Sequence, residues 1–77
     1  MKKMFVLIDK VNDVKSFNEI VSKIPCNVYA QRNEYVVSAK SLMGLFSLDL
    51  SKPICVISDE EIPENIYNEL KQFSVDD

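Results

Sequence analysis

Residues 35–50 read YVVSAKSLMGLFSLDL, and the way this stretch divides decides the fold. Tyr35, Val36 and Val37, closed by Ser38, are aromatic or β-branched and suit a strand. Ser41 then stands where a helix N-cap belongs, ahead of a dense apolar run that holds the single glycine, Gly44. The spacing predicts a short helix from Leu42 to about Ser47. Leu45 and Leu48 are assigned to the core. Met43 and Phe46 fit a buried or an exposed position equally well.

Upstream, Cys26, Val28 and Ala30 alternate with Asn27, Tyr29 and Gln31, and Arg32-Asn33-Glu34 leads into Tyr35. This predicts a β-hairpin with Asn33 in its turn. The first apolar segment, Met4 to Ile8, reads as a strand, followed by a polar loop from Asp9. From Asn12 or Asp13 as cap, Val14, Phe17, Ile20, Val21 and Ile24 recur at the period of an amphipathic helix, which Pro25 stops. Downstream, Pro53 opens a strand at Ile54–Ile57 whose continuous apolarity suits a central position. A last helix begins near Pro63, with Glu60, Glu61 and Glu64 at the positive end of its dipole. Ile66, Leu70 and Phe73 form its buried stripe, and Ile62 packs back as a staple. Ser74 to Asp77 reads as a fraying terminus. The order β-α-β-β-α-β-α predicts an α+β, two-layer sandwich in a single domain spanning residues 1–77, with helices covering one face of the sheet.

Composition narrows the chemistry. With 77 residues, 47% of them hydrophobic and 27% charged, a domain this small buries about 60% of its unfolded surface and leaves little area for a deep cleft. The chain contains no histidine. That removes phosphohistidine, imidazole acid–base pairs, Ser-His or Cys-His nucleophiles and any His-containing metal site. Cys26 and Cys55 form neither a CxxC pair nor a disulfide framework and read as buried thiols, with the cytoplasm as the expected setting. The apolar start is too short for a signal-peptide core or a membrane span. Residues 1–57 carry eight Lys/Arg against five acids, and residues 58–77 one Lys against seven acids. That acidic end argues against nucleic acid as partner. Asp59, Glu60, Glu61 and Glu64 lack the spacing and glycine of a calcium loop. No metal, other cofactor or enzymatic activity is expected.

The stretch YVVSAKSLMGLFSLDL, residues 35–50, resembles the HPr family, the small histidine-phosphocarrier proteins of the bacterial sugar phosphotransferase system. Their pattern here is close to V-x-A/L-K-S-I/L-M-G-V/L-M-S-L. Ala39, Lys40, Ser41, Met43, Gly44, Ser47 and Leu48 match it, and Leu42, Leu45 and Phe46 are close apolar variants. Element order and length agree over nearly the whole chain. The resemblance implies an open-faced, four-stranded antiparallel sheet of order 1-4-2-3 with helices on one face.

It also implies where the chain departs. HPr proteins hold the phosphoacceptor histidine in G-[IL]-H-A-R-P-A at the start of the first helix. Counting without gaps puts Lys10 at the His position, Asn12 at the Arg and Asp13 at the Pro, so the segment is a degenerate phosphoacceptor loop. Ser41 matches the regulatory serine that an ATP-dependent HPr kinase modifies in Gram-positive relatives, although an N-cap role alone also accounts for it. Leu42, Met43 and Phe46 match the family's docking patch for phosphotransferase enzymes and a catabolite-control repressor. The expectation is a regulatory or protein-interaction paralogue without His phosphotransfer, similar to catabolite-repression HPr variants. The alternative is a self-associating protein of the same fold, dimerising through the Tyr35–Ser38 edge or by exchange of the first strand.

Overall fold

Alternation along four short strands sorts their side chains onto two faces. In the computed structural model, which describes residues 2–75, the order is β1 (Lys3–Val6), α1 (Val11–Val21), β2 (Val28–Arg32), β3 (Tyr35–Ser38), α2 (Leu42–Phe46), β4 (Ile54–Ser58) and α3 (Glu64–Leu70). A single 3₁₀ turn, Lys71–Phe73, extends α3. The strands form one antiparallel sheet in the order β1-β4-β2-β3. This is the α+β architecture expected from the sequence. Among the described residues no helix is long and apolar enough to cross a membrane.

One face carries the buried row Met4, Val56 and Ala30, aligned strand to strand and continued by half-buried Val37. Val6, Ile54 and Val28 lie on the same side. The helices lay their apolar stripes over this face: Val14, Phe17, Ile20 and Val21 from α1, Leu45 from α2, and Ile66 and Leu70 from α3. Phe17 is fully buried and meets Phe73 edge to face, with ring centroids 6.0 Å apart and planes at 82°. Such aromatic contacts favour a fixed geometry as well as burying area. An ion pair between Lys23 and Glu69 at 3.1 Å also ties the end of α1 to α3. Both partners are exposed, so it contributes little.

The other face is uncovered. Its two cross-strand rows are Phe5–Cys55–Gln31–Val36 and Lys3–Ile57–Tyr29–Ser38. Cys55 and Ile57 are half-buried there, in keeping with the central position expected of β4.

Element boundaries depart from expectation in three places. Helix α1 starts at Val11 with Lys10 as its N-cap, not with Asn12 or Asp13. Lys10 is extended (φ −106°, ψ 142°), and its carbonyl accepts from Val14 N–H at 3.0 Å. Asn12 and Asp13 lie inside the first turn, where the acid still complements the dipole. The same helix ends at Val21, four residues before Pro25, through tightened bonds from Lys23 N–H to Ile20 O and Ile24 N–H to Val21 O. Those bonds keep Ile24 in the core although it is no longer helical. Strand β2 begins at Val28 rather than Cys26.

The chain end differs most. Ser74 forms an antiparallel bridge with Val6, Leu7 N–H donates to Phe73 O at 2.9 Å, and Val75 N–H donates to Phe5 O at 3.0 Å. Residues 73–75 are therefore bound along the outer edge of β1 rather than frayed. Buried Phe73 anchors them. Asp76 and Asp77 lie outside the described residues.

The hairpin turns at Asn33 and Glu34, with Arg32 paired to Tyr35. Asn33 has φ 55°, the left-handed region in which asparagine is tolerated better than most residues. Substitution Asn33→Val places a β-branched residue there. The unfolding free energy is expected to fall by about 1–2 kcal/mol, measurable by urea denaturation with an unchanged slope.

Candidate functional site

Most of the motif from Ala39 to Leu48 is accounted for by the fold itself. Ala39 is fully buried; its N–H donates to Val28 O at 2.8 Å, and its carbonyl accepts from Asn18 Nδ2 at 3.3 Å. Lys40 Nζ donates to the Ile24 carbonyl at 2.5 Å, which ties the start of α2 to the turn after α1. Ser41 caps α2, its Oγ accepting from Gly44 N–H at 3.1 Å, as its position in the sequence predicts. A Cβ on Gly44 would lie 3.2 Å from both Ser41 Oγ and Val37 Cβ. Glycine therefore lets α2 sit close on β3. Ser47 Oγ donates to Gly44 O at 2.6 Å, and Leu45 and Leu48 enter the core as expected.

Two motif residues have no such structural task. Met43 is 85% exposed and Phe46 45% exposed. The choice between core and surface that the sequence left open is resolved toward solvent for both. Leu42 is half-buried and packs against the core. A five-residue helix carrying two large outward apolar side chains is the kind of feature that marks an interface. Asp49, just after this helix, accepts from the hydroxyl and N–H of Ser51, and these bonds hold its carboxyl below the ordinary carboxylate value.

The second group of candidate residues sits at the opening of α1. Lys10 is the exposed N-cap, Asn12 is exposed and Asp13 is half-buried in the first turn. Helices α1 and α2 pack together. Val11, 57% exposed at the start of α1, is an outward apolar side chain that the sequence did not single out. It lies three residues before Val14, in step with Phe17 and Ile20, but an expected cap at Asn12 or Asp13 leaves it outside the helix.

A third feature was missed. On the uncovered face of the sheet, Lys3, Phe5, Gln31, Arg32, Asn33, Pro53 and Cys55 line a concavity of about 330 Å³. Arg32 Nη1 donates to Pro53 O at 3.2 Å, while its Nε is buried with no hydrogen-bond partner. Strand alternation signals part of this site, since Lys3, Phe5, Gln31 and Cys55 share a face. The pairing of Arg32 with Pro53 depends on the β2/β4 register, which sequence alone does not fix.

Cys26 and Cys55 are half-buried rather than buried. Adjacent strands do not bring them together. Cys26 packs on the helix side, 3.2 Å from the hydroxyl of buried Ser58, whereas Cys55 belongs to the opposite face. Among the described residues no group of three or more His, Cys, Asp or Glu side chains is arranged to hold a metal ion.

The fold defined by these elements is that of HPr. A solved structure described as HPr-C-His from Thermoanaerobacter tengcongensis superposes with a TM-score of 0.75 over 94% of this chain and 89% of that one. The two are 22% identical in sequence. No family model and no curated protein matches the sequence.

Proposed function

We propose that this chain is a non-catalytic, HPr-like regulatory or interaction protein related to the sugar phosphotransferase system. It presents α2 to protein partners and is regulated by phosphorylation at Ser41. The observation that carries this reading is the outward placement of Met43 and Phe46 on a helix whose other motif residues serve the fold. Phosphohistidine transfer is closed to a chain without histidine, and Lys10, the N-cap of α1, offers no replacement acceptor of comparable chemistry.

Ser41 is exposed, and its Oγ already faces the first turn of α2. A phosphate there adds a charge of about −2, two residues from Met43, and so changes what the α2 surface recognises. The partners this chemistry suits are an HPr kinase, a catabolite-control repressor and phosphotransferase enzymes. The expected setting is the cytoplasm.

The test is incubation with an HPr kinase and ATP, followed by intact-mass analysis, site mapping and titration against the repressor and the first phosphotransferase enzyme. Phosphate on Ser41 and saturable binding are expected. Substitution Met43→Glu with Phe46→Glu should weaken that binding by at least about 30-fold, as removal of interface anchors does, while leaving the thermal melt unchanged. No phosphate on Ser41 together with no binding to either protein would overturn the proposal.

A further inference from the structure

The two edges of the sheet are treated differently. Residues 73–75 hydrogen-bond along β1, whereas β3 forms the opposite edge of the sheet. The β3 strand is short, but its sequence YVVS carries no lysine, no proline and no charge to block an exposed edge. Tyr35 is 72% exposed and Val36 is 54% exposed.

The phase of the ladder identifies which backbone groups face outward. Ala39 N–H bonds to Val28 O, and Tyr29 lies opposite Ser38. Hydrogen-bonded and non-bonded pairs alternate in an antiparallel ladder. Val37 and Tyr35 therefore bond to β2, while Val36 and Ser38 turn their N–H and C=O groups away from it. The Ser38 carbonyl agrees with this phase, since it accepts from Ser41 N–H rather than from β2.

We propose that β3 is a self-pairing edge: two copies of this chain join their β3 strands antiparallel about a two-fold axis near Val36 and Val37, giving one continuous eight-stranded sheet. Backbone complementarity favours this arrangement: Val36 turns both its N–H and its C=O outward, so the same residue of a second antiparallel copy offers the matching acceptor and donor. The exposed side chains of Val36 meet near the axis, and Tyr35 gains an apolar neighbour across it. An isologous contact of this kind closes on itself. A contact built on a four-residue strand is smaller than a standard stable interface, so the expected dissociation constant is on the order of 100 μM. This inference does not depend on the α2 surface.

Sedimentation equilibrium of the full chain up to about 1 mM, well above that constant, tests it, with amide hydrogen exchange followed at low and high concentration. A monomer–dimer equilibrium is expected, with the Val36 and Ser38 amides becoming protected as the dimer forms. Val36→Pro removes an outward donor that β2 does not use and is tolerated on an edge strand. It should keep the monomer's melting temperature and abolish association. Val36→Lys serves as a second variant if the proline destabilises the hairpin. A chain that stays monomeric at the highest concentration, a dimer that protects other amides, or one that survives both substitutions overturns the proposal.

Discussion

Phe17→Ala is expected to remove about 3–5 kcal/mol of stability, the largest single loss available from the α1 stripe. Phe17 is completely buried, and its ring edge contacts Phe73, which in turn holds the chain end against β1. Truncation therefore leaves a cavity among α1, α3 and the sheet and also loosens a segment distant in sequence. Domains hold about 0.05–0.15 kcal/mol per residue, about 4–12 kcal/mol for a chain of this length, so the loss takes from about a quarter to all of the total. Guanidinium denaturation followed by far-UV circular dichroism should show a midpoint shifted strongly toward zero denaturant. A loss under about 1 kcal/mol would mean that the site collapses around the cavity.

Phe73→Ala is expected to cost nearly as much, about 3 kcal/mol, equivalent to a fall of roughly 12–24 °C in melting temperature for a domain of this length. Its second effect separates it from Phe17→Ala. Loss of the anchor frees residues 74 and 75 from β1, so the Val75 amide and the backbone of β1 should exchange faster than the rest of the sheet, by local opening rather than global unfolding. Combining the two substitutions measures their coupling. A sum smaller than the two separate losses is expected for residues in direct contact, and strict additivity would show that the edge-to-face contact contributes nothing of its own.

Much of this architecture was legible in the sequence because it rests on local chemistry. The hairpin turn at Asn33, the cap at Ser41, the strand Tyr35–Ser38 and the stripe Val14, Phe17, Ile20 and Val21 are each specified within a few residues of chain. What the sequence did not reveal depends on long-range pairing. The fastening of Ser74 and Val75 to β1 is a contact across most of the chain, and polar residues at a terminus read as frayed until a partner strand is known. The start of α1 at Val11 was hidden because its cap, Lys10, makes no side-chain bond and Val11 faces solvent. The candidate site divided along the same line. Ser41 could be placed from its neighbours, whereas exposure of Met43 and Phe46 follows from how α2 lies on α1 and β3.

The strip of chain fastened along β1 bears on how far assembly can go. In the terms of polymer chemistry, a sheet with two open edges is a bifunctional monomer and grows without limit. A sheet with one open edge is monofunctional. Residues 73–75 bond to the Phe5–Leu7 part of one of the two edges, so the pairing proposed at β3 leaves no full-length edge for a further copy and assembly is expected to stop after a single step. Within the proposed assembly, the segment that read as loose chain acts as a chain terminator, anchored by buried Phe73.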